Sequence, residues 1–330
     1  MSTDTNRQSI EPAPVFLIGM PRSGTKLLRD LLNKHPSIRI PDSETAILPM
    51  LVNEWQLYGD IALEKNFEKF FVRISQQFFF DYLKQRGRPM TVEKWRENIR
   101  EYTPAGVFEG LVRADTENHY GTDIVWGDKS PSYINHVGLI NDLYPSARII
   151  HIVRDVRDYC LSISAAWGKN MYRASYRWGQ SVSKACTDGD LLEGRYLQVH
   201  YEVLIESPEL VLRNICSLLD LSFTPQMLTL EKPSENFGET RGQSIIVSTN
   251  KGKFDDRLTR KELKKIEELA FEGMLATGYE PRLATGCHRP LRSTLFLQRL
   301  LDGYHLSQAV RREHGFFRGV MLHFYRSRAK

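Results

Sequence analysis

The stretch of the sequence best suited to chemistry is a glycine-bounded turn at residues 19–24. Residues 15–19 have the length and branching of a buried parallel strand, and leucines recur at helical spacing after the turn. A strand, a glycine-rich turn and a helix direct backbone N–H groups and the positive end of the helix dipole towards a phosphate. Gly19 and Gly24 also have the G-x-x-x-x-G spacing of the nucleotide-binding P-loop. The pattern predicts an anion site.

The residues after Gly24 differ from the P-loop of nucleoside triphosphatases. That loop continues with Lys and then Ser or Thr, which contact the phosphates and Mg²⁺. Here Thr25 comes first and Lys26 follows one place late. One residue is a rotation of about 100° on a helix, so Lys26 would point away from the phosphates. The cation within the loop is instead Arg22.

A second candidate anion site follows the apolar run at residues 147–153. A triphosphatase would often end such a strand with an aspartate that holds Mg²⁺. Here Arg154 follows the strand, and Asp155 begins the next predicted helix. The guanidinium donors and the helix N-terminus both favour negative charge, so we expect an anion to bind. The alternative is a surface arginine paired with Asp158.

These two segments resemble the donor-binding motifs of the sulfotransferases that use 3′-phosphoadenosine 5′-phosphosulfate (PAPS). Residues 21–25, Pro-Arg-Ser-Gly-Thr, are similar to the loop that binds the 5′-phosphosulfate, and Arg154 and Ser162 have the separation of the pair that holds the 3′-phosphate. The resemblance implies PAPS as donor, 3′-phosphoadenosine 5′-phosphate (PAP) as product and no metal. The cofactor-binding residues that it implies in these segments are Arg22, Ser23, Gly24, Thr25, Lys26, Arg154 and Ser162.

Within that family the sequence is most similar to the tyrosylprotein sulfotransferases and their bacterial relatives. Their loop is followed by an E-E-T segment and then by N-K-D-P, which residues 43–45 (Ser-Glu-Thr) and 127–131 (Gly-Asp-Lys-Ser-Pro) match in order. The resemblance implies that Glu44 is the general base on the acceptor hydroxyl. It also implies that Arg22 and Lys129 are catalytic and neutralise charge at the leaving oxygen and the sulfuryl group. The alternative for Glu44 is a helix N-terminal carboxylate stabilised by the dipole.

Three weaker matches complete the implied site. Tyr201 resembles the tyrosine of a V-x-Y-E segment that approaches the nucleotide, although a tyrosine packed on the next helix is an equal alternative. Ser248, implied to be catalytic, lies in a polar stretch similar to the late loop that closes over the cofactor. Lys253 is preferred to Lys251 as a late phosphate contact, although the register of this loop is open.

The predicted elements that position these residues form a P-loop-like α/β fold. Strands alternate with helices, which favours a parallel sheet flanked by helices. The predicted strands are 15–19, 38–40, 124–128, 147–153 and 196–200. Helices beyond the first are predicted at about 46–58, 133–143, 155–166, 172–187, 208–219 and 259–269. Residues 55–120 are predicted to be a largely helical, acceptor-side insertion whose aromatic faces are core, with Phe67, Phe70, Phe71, Phe78 and Phe79.

The composition, 41% hydrophobic and 26% charged, is typical of a globular protein. The four cysteines lie far apart and predict reduced thiols, not a disulfide framework or a zinc site. We find no signal peptide and no apolar run long enough to span a bilayer, so we expect a cytoplasmic protein, with peripheral contact at the inner membrane face as an extension of that expectation. The expected domains are a flexible N-terminus at 1–13, a sulfotransferase domain at 14–280 and a basic, helical extension at 281–330.

The C-terminal extension carries the basic character of the chain. Residues 281–330 contain ten Lys or Arg and two Asp or Glu, a net charge of +8, whereas the whole chain has +5. Aromatic and aliphatic residues are interleaved with these charges, as in amphipathic helices. A docked extension with solvated charges is the favoured interpretation, and contact of 282–330 with an anionic membrane comes next. A homodimer stays open, and we expect no nucleic acid.

Our hypothesis is a PAPS-dependent sulfotransferase that modifies an acceptor hydroxyl. The favoured acceptor is a glycan or glycolipid, because the anchor expected of animal Golgi enzymes is absent and the extension is basic. The runner-up is a protein tyrosine in a peptide acceptor, which has the closer motifs. A P-loop kinase or NTPase is a remoter alternative and would need a metal.

Overall fold

The computed structural model describes residues 11–234 and 241–314, and its centre is a parallel sheet of five strands. Neighbouring strands are all parallel, and their order across the sheet is β2-β3-β1-β4-β5. The strands are β1 (Val15–Gly19), β2 (Ile38–Arg39), β3 (Val125–Lys129), β4 (Arg148–Val153) and β5 (Tyr196–His200). All five predicted strands are therefore present, and the predicted α/β fold is confirmed.

Helices connect the strands and cover the sheet. The α-helices within the described residues are α1 (Thr25–Leu32), α2 (Leu48–Glu54), α3 (Glu64–Ile74), α4 (Phe78–Gln85), α5 (Val92–Arg96), α6 (Pro104–Thr116), α7 (Val137–Leu143), α8 (Val156–Trp167), α9 (Met171–Asp190), α10 (Tyr201–Glu206), α11 (Pro208–Leu218), α12 (Phe254–Arg257), α13 (Arg260–Ala276) and α14 (Arg292–His314). Two predicted helices are interrupted: residues 46–58 form α2 and a 3₁₀ turn, and residues 133–143 divide at His136, where φ is −129°.

The two faces of the sheet carry separate apolar cores. Along β1, Phe16 and Ile18 belong to one core, and Val15 and Leu17 belong to the other. All four side chains are fully buried. This arrangement is the one expected of a parallel strand covered by helices on both faces, and it explains why β1 is apolar throughout and does not alternate.

Helices α2 to α6 form an insertion between β2 and β3. Its core surrounds Trp95, which packs against Phe67, Phe70 and Phe80 and donates its indole N–H to the carbonyl of Val107 (2.8 Å). The prediction of an aromatic core is confirmed here except at Phe78. Phe78 is only half-buried, because it lies at the wall of a surface pocket.

The two ends of the chain are partly outside the described residues. The predicted flexible segment 1–13 is described from Glu11, whose carboxylate pairs with Arg113 (2.9 Å) and with Arg100. The extension 281–330 is described as far as His314, as α14, which packs on α8 and α9. No helix in the described ranges combines the length and the apolar character that crossing a bilayer requires.

Candidate active site

The turn between β1 and α1 has a fixed and unusual backbone. Arg22 has a φ of 74° and Gly24 a φ of 88°, both in the left-handed region. The N–H of Ser23 donates to the carbonyl of Met20 (3.1 Å), which closes the turn before α1 begins at Thr25. A non-glycine residue at positive φ is costly, and such strain concentrates at functional sites. The loop is held as a preformed cradle at the helix N-terminus.

A substitution at Gly24 tests the conformation of this loop, because a Cβ at this position would overlap the ring of Tyr201. We expect Gly24→Ala to weaken PAP binding at least about tenfold and to lower stability by more than the ~1–2 kcal/mol that a left-handed φ alone costs. Gly278→Ala is the matched control, since Gly278 has a φ of 75° and nothing within 4 Å of its Cβ position. Urea unfolding and PAP titration of both variants measure the difference. Equal losses in both quantities would contradict the close approach of Tyr201.

Arg154 lies at the end of β4 and joins three parts of the site. It is 5% exposed. Its guanidinium donates to the carbonyl of Arg22 (3.3 Å) and to the carbonyl of Asn250 (3.2 Å), and it lies 4.6 Å from the centre of the Tyr201 ring. The alternative of a surface arginine paired with Asp158 is therefore wrong.

Two buried polar atoms near this arginine make no hydrogen bond within the described structure. They are Nε of Arg154 and Oγ of Ser23, and Ser23 is fully buried. Buried donors without partners are costly and rare, so each calls for a ligand or a water. An anionic nucleotide offers acceptors to both atoms. The residues present thus fit PAPS.

A loop at residues 250–254 closes this side of the site. Asn250 donates its amide N–H to the Tyr201 hydroxyl (2.6 Å) and accepts from the Lys253 ammonium (2.7 Å). Asp158, on α8, accepts the backbone N–H groups of Gly252 (2.6 Å) and Phe254 (3.1 Å). Burial raises the pKa of the Asp158 carboxyl, against the opposing charge of Arg154. The structure thus brings the predicted residue Tyr201 to Arg154, and Lys253 to Asn250 beside it.

Asn250 was not predicted as a site residue, and Asp158 was considered only as an alternative partner of Arg154. Their partners are backbone groups and side chains that local sequence patterns do not identify. Ser162 is half-buried two turns into α8, as the spacing predicted. Ser248 is exposed on the loop and does not line the acceptor-side pocket described below. The roles of these two serines stay predictions.

A network of buried ion pairs and hydrogen bonds surrounds Asp155, the residue that follows Arg154 at the end of β4. Asp155 forms a 2.6 Å ion pair with Arg157, whose guanidinium also pairs with Glu267 (3.1 Å). Glu202 accepts the backbone N–H of Asp155 (3.0 Å) and the hydroxyl of Tyr279 (2.6 Å). Each carboxylate is partnered, as buried charges require. Arg157 is therefore an ion-paired structural residue.

On the acceptor side, Glu44 and Lys129 form an ion pair at the carboxyl ends of β2 and β3. The Lys129 ammonium lies 3.0 Å from Oε1 of Glu44. The Lys129 side chain is 5% exposed, whereas that of Glu44 is 48% exposed. Helix α2 begins only at Leu48 and has no acidic residue in its first turn. The alternative interpretation of Glu44, a helix N-terminal carboxylate, is therefore wrong.

The segment that carries Glu44 is pinned to the residues after β3. The Tyr133 hydroxyl accepts the N–H of Leu48 and bonds Oγ1 of Thr45 (3.0 and 3.1 Å), and Oγ of Ser130 accepts the N–H of Ala46 (3.0 Å). These three bonds fix the segment that carries Glu44 relative to Lys129.

Asp128, next to Lys129 in β3, is fully buried and points to the other face of the sheet. Desolvation raises the pKa of its carboxyl to about 6, and the hydroxyls of Ser130 and Thr45 only partly offset this.

A pocket of about 410 Å³ opens beside the Glu44–Lys129 pair. Its walls carry five cations, two carboxylates and two aromatic rings. They are formed by Lys26, Arg29, Asp42, Ser43, Glu44, Thr45, Ala46, Gln77, Phe78, Tyr82, Arg86, Lys129, Lys232 and Pro233. Lys26 therefore lies in the wall of this pocket, on the side of Glu44. The arrangement can hold a ring against the two aromatic residues with a hydroxyl near a carboxylate.

Within residues 11–234 and 241–314, no group of three or more His, Cys, Asp or Glu side chains is placed to hold a metal ion.

Comparisons with known proteins identify a family and several relatives of the chain. A model of the family described as "Sulfotransferase family" matches residues 14–225. A putative protein-tyrosine sulfotransferase of Caenorhabditis briggsae is 24% identical over 78% of this chain and 85% of its own length. Protein-tyrosine sulfotransferase 1 of Danio rerio is 24% identical over 70% of this chain, which spans 59% of that protein. An uncharacterized protein of Aquifex aeolicus is 25% identical over 66% of this chain, which spans only 27% of that protein.

Among solved structures, the fold is similar to a sulfotransferase domain from the curacin biosynthetic pathway. The TM-score is 0.56, with 19% identity over 82% of this chain and 99% of that domain.

Proposed function

Because the chain belongs to the sulfotransferase family, we propose that it transfers the sulfuryl group of PAPS to an acceptor hydroxyl bound beside Glu44. Its donor is PAPS and its product is PAP. The proposal rests mainly on the ion pair between Glu44 and Lys129, whose side-chain atoms lie 3.0 Å apart. Glu44 is half-exposed and Lys129 is buried, and the pair lies at the same edge of the sheet as the cradle at residues 22–24. A carboxylate held in this way is placed for proton transfer.

The donor side is formed by the cradle, the end of β4 and the late loop. Ser23, Gly24 and Thr25 would hold the 5′-phosphosulfate at the N-terminus of α1, where N–H groups and dipole favour an anion. Arg154 would hold the 3′-phosphate, with Tyr201 stacked on its guanidinium. When bound, PAPS supplies an activated sulfuryl group and a stable leaving group.

On the acceptor side, this chain's residues move one proton and neutralise charge. Glu44 takes the proton of the acceptor hydroxyl as the oxygen forms its bond to sulfur, and a typical general base contributes 10²–10⁴-fold. Lys129 pairs with Glu44 and presents positive charge from a position that water scarcely reaches. Arg22, in the loop, provides the second cation. Buried cations stabilise developing negative charge more strongly than solvated ones.

The acceptor class has support from two directions. The relatives from Caenorhabditis briggsae and Danio rerio are named as protein-tyrosine sulfotransferases, and a phenol ring would pack on Phe78 and Tyr82 in the pocket. This support favours a tyrosine acceptor over the glycan or glycolipid that the sequence predicted. A sugar ring would fit the same aromatic wall. The glycolipid stays as the second candidate because of the exposed apolar face of α14, described below.

Ligand-dependent stability is the first test of the proposal. PAP at 100 times its dissociation constant should stabilise the native protein by about 2.7 kcal/mol, which raises the Tm. Mg-ATP should have little effect. A Tm increase with Mg-ATP and none with PAP would overturn the proposal in favour of a P-loop kinase or NTPase.

Transfer of labelled sulfate from PAPS to tyrosine peptides and to glycolipids then separates the acceptor classes. We expect label on the tyrosine peptides. Label on the glycolipids alone would restore the prediction made from the sequence, and label on neither would remove both acceptors while leaving donor binding to stand on the PAP experiment.

A further inference from the structure

Helix α14 is docked on the domain through polar contacts. Asp302 is 5% exposed and accepts hydrogen bonds from the backbone N–H of Asn170 (2.8 Å) and from the guanidinium of Arg173 (2.5 Å). His305 lies close to Gly168, because a Cβ on that glycine would be 3.3 Å from the Cβ of His305. These partners belong to the turn between α8 and α9 and to the start of α9. The helix is therefore held in one rotational setting, with Asp302 facing inward.

The opposite side of α14 is apolar and exposed. Leu300 and Tyr304 are each two residues from Asp302, a rotation that places them about 160° away from it around the helix. With the neighbouring residues they form a stripe in which every side chain is more than half exposed. We call this stripe the outer face of α14; it consists of Phe296, Leu297, Leu300, Leu301 and Tyr304.

An ordinary surface helix buries its apolar stripe, whereas α14 leaves this stripe exposed. An exposed contiguous apolar patch marks a site of interaction. The ion pair of Asp302 with Arg173 would have to break for α14 to roll its outer face onto the domain. The outer face is therefore held outward by the docking itself.

The charge around the outer face decides among occupants. Arg292 and Arg299 of α14 are exposed, and residues 281–330 carry a net charge of +8. A second copy of the chain would bring an equal positive charge to the contact, which disfavours a dimer through this face. A nucleic acid would engage the cations and leave the apolar stripe in water. The surface of an anionic bilayer satisfies both the cations and the stripe.

We propose that the outer face of α14 binds the surface of an anionic lipid bilayer. The five apolar side chains enter the boundary between headgroups and acyl chains, and the arginines contact the anionic headgroups. This inference goes beyond sulfuryl transfer, because it concerns where the enzyme acts. It does not depend on the identity of the acceptor.

Co-sedimentation of the full chain with phosphatidylcholine vesicles, with and without phosphatidylglycerol, tests the proposal. We expect binding to the vesicles that contain phosphatidylglycerol and little to phosphatidylcholine alone. The double variant Leu300→Gln with Leu301→Gln should bind about tenfold more weakly or worse, because its side chains no longer favour the acyl boundary. Arg292→Gln and Arg299→Gln should each weaken binding about fivefold.

The matched control is the double variant Leu210→Gln with Leu275→Gln. These leucines are 56% and 57% exposed, on α11 and α13, and should have no effect on vesicle binding. A PAP-induced Tm shift like that of the unmodified chain shows that both double variants are folded.

Three results would overturn the proposal. One is failure of the unmodified chain to bind vesicles that contain phosphatidylglycerol, and another is equal binding by the two double variants. The third is a dimer in sedimentation that only Leu300→Gln with Leu301→Gln dissociates, because a second copy would then be the occupant. Salt-dependent binding to DNA or RNA, with no binding to vesicles that contain phosphatidylglycerol, would also overturn the proposal.

Discussion

The Glu44→Gln variant is expected to bind PAP as the unmodified protein does and to lose 10²–10⁴-fold in the rate of sulfuryl transfer. Glutamine keeps the size of the side chain and a carbonyl oxygen for the Lys129 ammonium, but it cannot take the proton of an acceptor hydroxyl. Glu44 belongs to the acceptor pocket and is absent from the contacts of Arg154 and Tyr201. Single-turnover transfer from labelled PAPS and a separate PAP titration measure the two quantities.

Glu209→Gln is the matched control for this variant. Glu209 is 52% exposed and pairs with one cation, Arg213, at 2.7 Å. It reproduces the exposure and pairing of Glu44 on a helix that contributes no residue to the acceptor-side pocket. It should keep full activity. If Glu44→Gln transferred sulfate as fast as Glu209→Gln, Glu44 would not be the base.

The Arg154→Gln variant is expected to weaken PAP binding by about 10²-fold or more. Arg154 is buried, contacts the Tyr201 ring and holds the carbonyls of Arg22 and Asn250, and its Nε–H has no partner among the described residues. A hydrogen bond to a charged group is worth about 1.5–3 kcal/mol. The PAP affinity of Arg154→Lys should lie between those of Arg154→Gln and the unmodified protein, because an ammonium keeps the charge but lacks the planar arrangement of guanidinium donors. Calorimetric titration with PAP measures both variants.

Arg148→Gln controls for the loss of an arginine from the same strand. Arg148 is the first residue of β4, at the opposite end of the strand from Arg154, and its side chain donates to the carbonyl of Leu218 (3.1 Å). PAP affinity should be unchanged there. Loss of affinity in Arg148→Gln equal to that in Arg154→Gln would indicate general damage to the sheet and would remove Arg154 from the donor site.

The strands and the anion-binding turn could be predicted from the sequence because their signals are local. β1 is apolar at all of Val15–Ile18 since both faces of the sheet are covered, and the glycines at 19 and 24 stand where the backbone leaves ordinary φ values. Helix ends were less accurate. Just before the break at His136, Tyr133 bonds Thr45 and Leu48, a tertiary contact that periodicity does not record.

For the site, the sequence offers motifs for residues expected to act on a ligand, and few signals for residues that bind the protein itself. Glu44 and Lys129, both assigned to the site by resemblance, lie 85 positions apart and form an ion pair that the sequence did not predict. The contacts of Asn250 with Tyr201 and of Asp158 with the Gly252 N–H were not predicted, because amides and carboxylates that make such local bonds are common throughout a polar sequence. Phe78 was assigned to the core by its spacing, since an aromatic stripe alone does not show which member faces a pocket.

The insertion α2–α6 leaves the sheet from β2 and returns to β3, its direct neighbour. Of the pocket walls, it supplies Gln77, Phe78, Tyr82 and Arg86, whereas Arg154, Tyr201 and the cradle lie on other segments. A different set of helices could therefore be spliced between the same two strands without altering the strand order or the nucleotide contacts. The segments that contact the nucleotide and the insertion that faces the acceptor can therefore vary independently, so acceptor specificity can change while donor binding stays the same.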